Sequence, residues 1–161
     1  MNKSLCFCNS GLSFSQCCQP YLQGTALPET PEQLMRSRYS AYATKHFKYV
    51  LDTYALVRRS TITLQDLSQG SDETQWLGLD VIKTHSDEAH EAHEAAEVEF
   101  IAYYRVCNII YKMHERSTFC REENTWRYDK GLLFEDGGVY KPQRNALCLC
   151  GSGKKFKKCC L

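Results

Sequence analysis

The arrangement Cys6-Phe-Cys8, eight residues, Cys17-Cys18 recurs near the other end of the chain as Cys148-Leu-Cys150, eight residues, Cys159-Cys160. Ser10 matches Ser152, Gly11 matches Gly153 and Phe14 matches Phe156, so seven of thirteen positions agree and the segments read as two copies of one unit. Four sulfurs in this spacing suit a tetrahedral Zn²⁺, whose bonds to thiolate run near ~2.3 Å. The eight-residue span lets the chain double back, and Gly11, and Gly151 with Gly153, supply the positive φ that a reversal needs. Ser10 and Ser152 are expected to cap a short helix leading into the second cysteine pair. Phe14 and Phe156 offer one large apolar side chain beneath each loop. The alternative is a disulfide from Cys17 or Cys18 to Cys6 or Cys8. Neither copy contains C-x-x-C, which argues against a redox-active pair. A closed set of four thiolates leaves no open position for water, so the expected role is structural rather than catalytic.

Ten cysteines in 161 residues would signal disulfides in a secreted chain. The opening MNKSLCFCNS has no apolar run of signal-peptide length, and no stretch approaches the ~18 apolar residues of a membrane helix. The expected location is the cytoplasm, where clustered cysteines are more often metal ligands. The length predicts one modest domain with small attachments: an N-terminal knuckle over 1–24, a middle domain over 25–140 and a C-terminal knuckle over 141–161. The net charge is +1, so the whole chain is not a polyanion binder by charge alone. The charge is unevenly placed. From Gly137 onward there are six Lys or Arg and no acid, while Asp87 to Glu99 holds six acids and no Lys or Arg.

In the middle, Thr30-Pro-Glu-Gln33 is a capping box with proline at the first helical position. Met35, Tyr39, Tyr42 and Ala43 then share one face, and Phe47, Val50, Leu51 and Tyr54 form the stripe of a second helix. Thr63-Leu-Gln-Asp66 opens a short helix ended by Gly70. The period then changes to two. Trp76–Ile82 reads as a strand. Val98, Phe100, Ala102, Tyr104 and Val106 alternate with polar residues, and so do Ile109, Tyr111, Met113, Ser117 and Phe119. Trp126, Tyr128 and Leu132–Phe134 continue the series, with Glu122-Glu-Asn124 as a hairpin turn. Helices followed by a strand meander predict an α+β domain, a curved antiparallel sheet wrapped on helices.

Two resemblances add to this. Residues 144–160, RNALCLCGSGKKFKKCC, look like the SEC-C motif, the zinc-binding segment at the carboxy end of the SecA translocase. Ala146, Leu147 and Leu149 depart from the acid and two prolines the motif often carries; the ligands are intact. The N-terminal copy is more diverged, with Asn9 for the first glycine and no lysines. In SecA the similar motif is associated with binding the acidic chaperone SecB and with ribosomes. LMRSRYSAYA (34–43), TQWLGLDVI (74–82) and ERSTF (115–119), lying between two such motifs, resemble the YchJ (UPF0225-like) family of bacterial proteins. That likeness spans essentially the whole chain. It implies a middle domain of the nuclear-transport-factor-2-like, cystatin-like type: a cone with a pocket between sheet and helices. It implies no reaction.

Candidate pocket chemistry rests on few residues. Glu115 is in phase with Met113 and Phe119, so it should point to the apolar face and need a partner. Arg36 and Arg38 are the partner candidates, giving either a structural ion pair or a ligand-anchoring pair open to general acid/base use. Asp80, in phase with Trp76 and Ile82, carries the same ambiguity. His114, on the opposite phase, reads as a surface or rim histidine. His90, Glu94 and Glu97 can share one helical face able to capture a divalent cation, or lie in a solvated hairpin loop. Cys107 and Cys120 read as packing residues. Tyr103, Tyr104, Tyr111, Trp126 and Tyr128 can stack on bases, but alternation in a sheet makes core packing the default.

The two ends should differ. Phe7, Leu12 and Phe14 suit docking of the first knuckle on the body. Lys154, Lys155, Lys157 and Lys158 of the second either offset the negative charge of the metal–thiolate centre, with N–H···S contacts, or form an exposed basic surface for an acidic partner. The sequence thus predicts a zinc-binding, non-enzymatic adaptor that contacts a protein partner, an acidic chaperone or a ribosome-associated protein, through the basic C-terminal knuckle. Its alternatives are a small-molecule binder or enzyme using the central pocket, and RNA or ribosome binding through the lysines.

Overall fold

In the computed structural model, which describes residues 5–86 and 95–161, the helices come first. They are α1 (Gln19–Leu22), α2 (Pro31–Ala43), α3 (Phe47–Asp52), α4 (Leu56–Arg59) and α5 (Leu64–Ser68). The strands β1 (Thr74–Ser86), β2 (Ala95–Val106), β3 (Ile109–Glu122), β4 (Thr125–Leu133) and β5 (Gly138–Val139) follow. His90 and Glu94 lie outside the described residues. Glu97 belongs to β2, not to a helix, and its carboxylate lies 4.0 Å from Arg116.

Local chemistry starts and stops these elements. The Thr30 hydroxyl accepts from the Gln33 amide, and the Gln33 side chain accepts from the Thr30 amide, so the capping box opens α2 as its sequence implies. Thr63 and Asp66 do the same for α5. Cys107-Asn108 joins β2 to β3 and Glu123-Asn124 joins β3 to β4, with all four residues at positive φ (47°, 65°, 50° and 62°). Such two-residue turns match the twist of paired strands. Cys107 is therefore an exposed turn residue and not a packing one.

The sheet has the order β1-β2-β3-β4, antiparallel throughout, with β5 paired to β3. Its inner face carries Leu79, Val98, Phe100, Ala102 and Phe119 against Leu34, Met35 and Tyr39 of α2. The stretch after α3 is tied to β4 in both directions: Ala55 N–H donates to the Tyr128 carbonyl and Tyr128 N–H to the Thr53 carbonyl, each at 2.8 Å. Tyr54 and Tyr128 thereby meet edge to face, with centroids 5.2 Å apart.

One irregularity in β1 overturns an expectation. Trp76 pairs with Tyr104 but Gly78 pairs with Tyr103, so Leu77 is an extra residue, a β-bulge. The bulge inverts the inside–outside alternation beyond it. Leu77 packs with Tyr103 and Ile110 on the outer face, and Leu79 turns inward beside Trp76. Asp80 therefore stands exposed on the outer side, opposite Ile101, and not in phase with Trp76.

Both knuckles pack on this body, one on each face. Cys6, Cys8 and Cys18 belong to the inner core with Leu34 and Met35, whereas Cys148 and Phe156 pack on Leu77, Tyr103 and Ile110 outside. They meet over β1. The Asn9 side-chain amide donates to the Leu149 carbonyl at 2.8 Å. Gly78 lies beneath the same carbonyl, where a Cβ would overlap it. Phe7 and Leu12, expected to dock the first knuckle, are instead 44% and 53% exposed, and Phe14 makes the contact.

Phe119→Ala should cost about 3–5 kcal/mol in chemical denaturation, because its ring is fully buried. Gly78→Ala should dislodge the C-terminal knuckle while sparing the body. Limited trypsinolysis would then cut at Lys154–Lys158 long before residues 25–140; simultaneous cleavage of both regions would contradict this packing.

Candidate metal centres and the central cavity

Each set of four cysteines converges. The Sγ atoms of Cys6, Cys8, Cys17 and Cys18 all lie within 4.8 Å of one another, as do those of Cys148, Cys150, Cys159 and Cys160. Neighbouring sulfurs are 3.6 and 3.7 Å apart in the first set and 3.4, 3.5 and 3.9 Å in the second. A disulfide is ~2.05 Å long. The edge of a tetrahedron of sulfurs on bonds of ~2.3 Å is about 3.8 Å. All ten cysteines are free thiols, and both clusters have the donor type, number and spacing of a tetrahedral metal site.

The two loops are built alike. Cys6 N–H donates to Leu12 O at 2.8 Å and Cys148 N–H to Lys154 O at 2.7 Å. Asn9 N–H donates to Cys6 O and Gly151 N–H to Cys148 O, both at 3.2 Å. Gly11 and Gly153 hold φ of 80° and 72°; Asn9 and Gly151 hold 57° and 71°. A single 3₁₀ turn follows in each copy, Phe14–Gln16 and Phe156–Lys158. Neither turn has a side-chain cap. The serines expected there meet sulfur instead: Ser10 Oγ lies 3.2 Å from Cys17 Sγ, and Ser152 Oγ lies 3.3 Å from Cys159 Sγ. Each hydroxyl also accepts from the backbone two residues on, Leu12 and Lys154. No lysine Nζ hydrogen-bonds a sulfur among the described residues.

The metal-free thiols cannot all be charged together. Hydrogen bonds from Cys18 and then Cys8 hold the Cys6 thiol well below its ordinary range. The same contacts, with burial, push Cys18 far above it. Burial raises Cys17 to about 11. In the second set burial pushes Cys148 and Cys160 up; it also acts upward on Cys150, where hydrogen bonds from Ser152 and the neighbouring thiols prevail and bring it down to about 7. A divalent cation replaces the shared protons and lets all four ligands ionise.

Their surroundings differ. The first cluster is almost wholly buried, with Ser40 Oγ 3.6 Å from Cys6 Sγ and Arg36 donating to the Cys8 carbonyl at 2.8 Å. Arg36 also pairs with Glu32 at 2.8 Å, so it braces this knuckle rather than the central cavity. The second cluster is more open, with Cys159 exposed. Lys154, Lys155, Lys157 and Lys158 are all exposed. Arg105 holds this end to the sheet by donating to the Cys160 carbonyl.

A cavity of about 280 Å³ lies between α2 and the inner face of the sheet. Of the sequence-derived candidates it contains Glu115 and Arg38. Glu115 Oε1 accepts from Ser117 at 2.7 Å and from Tyr128 at 3.1 Å. Arg38 donates to the Val50 carbonyl and the Thr53 hydroxyl, each at 2.7 Å, and lies 4.4 Å from the ring centroids of both Tyr54 and Tyr128. The two charges line one cavity without forming an ion pair. Burial pushes the hydroxyls of Tyr39, Tyr42 and Tyr128 above their ordinary range, which keeps them neutral. Tyr128, Ser117 and Thr53 complete this arrangement; alternation puts Ser117 and Tyr128 in the strands without marking a role for their hydroxyls, and nothing in the sequence singles out Thr53. His114 faces away, between Asp136 at 2.8 Å and Glu99 at 3.2 Å. Tyr104 stacks on Tyr111 and meets Trp76 at a tilt, and Tyr103 packs on Tyr140.

No helix among the described residues is long and apolar enough to cross a membrane. Residues 144–161 match the SEC-C motif, and residues 30–131 match the family described as "YchJ, middle NTF2-like domain". A UPF0225 protein of Serratia proteamaculans is 43% identical over 158 residues, covering 97% of each chain. A SEC-C motif containing protein of Rhodopseudomonas palustris, solved in solution, superposes with a TM-score of 0.72 at 33% identity, covering 81% of this chain and 98% of that one. The crystal structure of another such protein, from Psychrobacter arcticus, gives 0.69 at 29% identity over 99% and 98%. With its middle domain, SEC-C motif and nearly full-length likeness to UPF0225 relatives, the chain belongs to the YchJ family.

Proposed function

We propose that this protein is a zinc-binding, non-enzymatic adaptor of the cytoplasm. Both four-cysteine clusters hold structural zinc, and the basic C-terminal knuckle contacts an acidic protein partner, such as a chaperone or a ribosome-associated protein. Four thiolates at these separations suit zinc's tetrahedral preference and leave no position for a reacting water. Free thiols in both clusters suit a reducing compartment.

One observation carries the partner reading. The first knuckle forms the same loop, the same serine–sulfur contact and the same 3₁₀ turn with no lysine between its cysteines. The four lysines of the second knuckle are therefore not needed for the sulfur geometry. They are exposed, on an end that carries no acid from Gly137 onward. Such a surface draws in negative charge.

Metal analysis of the purified chain should find about two zinc ions. A chelator should remove them in two phases, the exposed C-terminal site first; release in a single phase would show that burial does not govern retention. For the partner, the wild type is compared in pull-downs with a quadruple variant, Lys154, Lys155, Lys157 and Lys158 each →Glu. Loss of specific partners from the variant, with two zinc ions retained, is the expected result. Unchanged partner sets would refute the adaptor role. Loss of RNA instead, with steep salt dependence, would favour the nucleic-acid alternative.

A further inference from the structure

The geometry points to the central cavity as a binding site for a small, uncharged heteroaromatic molecule that donates an N–H to Glu115. The carboxylate is held from one side only. Ser117 and Tyr128 both donate to Oε1. Among the described residues no donor meets Oε2. A carboxylate placed by two hydroxyls on one oxygen presents the other to whatever enters; Oε2 is not a buried orphan, so it is open to accept from a ligand in the solvent-reached cavity. Gly131 of β4 faces the same carboxylate, and a Cβ there would push it from its place.

Arg38 sets the charge of the ligand. It is 6% exposed and fixed by Val50, Thr53 and two tyrosine rings. Tyr128 touches both Arg38 and Glu115, so the opposite charges share one wall while remaining unpaired. A cation entering beside Glu115 meets Arg38, and an anion beside Arg38 meets Glu115, at a dielectric far below that of water. A neutral molecule meets neither penalty. The remaining wall is mostly flat and apolar, with Trp76, Tyr42, Phe100 and Met113. Such faces favour an aromatic ring. The volume, about 280 Å³, lies at the small end of ligand pockets, which run roughly 300–1,000 Å³, and suits one or two fused rings. Tyr42, Tyr54, Met113 and Glu115 are half-buried, so the cavity is reached from solvent.

The probes are 2-aminopyrimidine, a neutral ring with an N–H donor, benzamidine as a cation, benzoate as an anion and toluene without polar groups. Each is titrated into the metal-replete full chain by ligand-detected NMR. 2-Aminopyrimidine should bind tightest. Glu115→Gln reverses the polarity of the site: Ser117 and Tyr128 keep the side-chain carbonyl oxygen, and the amide N–H₂ replaces Oε2. It should weaken 2-aminopyrimidine by about tenfold or more and strengthen pyrimidine, which only accepts. Tighter binding of benzamidine or benzoate, no binding of any probe, or an unchanged preference in Glu115→Gln would each overturn the inference. If Glu115→Gln fails to fold, Ser117→Ala serves. It removes one positioning hydroxyl without changing charge and should weaken 2-aminopyrimidine by roughly three- to tenfold; unchanged affinity there also overturns it.

Discussion

Four sulfurs drawn to within 4.8 Å of one another, twice, are the constraint on which both ends of this structure depend. Thiols that close share protons, and their preferences are driven apart: Cys6 is held far down while Cys18 is pushed far up. A cation removes the conflict by letting all four ionise around it. At the amino end the conflict lies inside the main core, because Cys6, Cys8 and Cys18 pack with Leu34, Met35 and Leu79. A metal held there would be part of the core itself. At the carboxyl end the sulfurs lie on the outer face of a sheet already closed from the inside, so that knuckle is an addition to a finished body.

What the sequence made legible follows from how local each signal is. The capping box at Thr30 and the turn at Glu123-Asn124 are decided by adjacent residues, and both form. The sulfur ligands are legible because their spacing occurs twice. Less local features were hidden. Trp76-Leu-Gly-Leu-Asp reads as one smooth strand, and only the pairing with β2 reveals Leu77 as a bulge that sends Asp80 outward. Cys107-Asn108 lacks the glycine that advertises a tight turn, yet Cys107 takes φ of 47°. The sequence suggests helix caps for the serines because that is a common use of serine, whereas their hydroxyls lie beside sulfur.

The cavity shows the same limit. Alternation along β3 placed Glu115 on the inner face, and α2 carried two arginines within reach in sequence terms. A separation of two positions along the helix decides between them. Arg36 falls on the side of α2 that meets the Cys8 carbonyl, and Arg38 on the side that meets Tyr54 and Tyr128. Which side faces which neighbour depends on how α2 lies across the sheet, which no local pattern encodes. The ion pair expected for Glu115 is replaced by two hydroxyls, one from its own strand and one from the next.

The bulge in β1 also brings the two regions of chemical interest onto adjacent residues. Trp76 lines the cavity on the inner face. Leu77 supports the C-terminal knuckle on the outer face. Gly78 lies under the Leu149 carbonyl, which is itself held by Asn9 of the other knuckle. A regular strand would alternate these positions between faces; the extra residue sets Leu77 and Gly78 together on the outer side. A glycine is required there because the backbone of the knuckle comes too close for a side chain. Three consecutive residues thus fix the cavity wall, the seat of one metal loop and the junction between both loops, so the position of the lysine-bearing end is set by the same strand that closes the cavity.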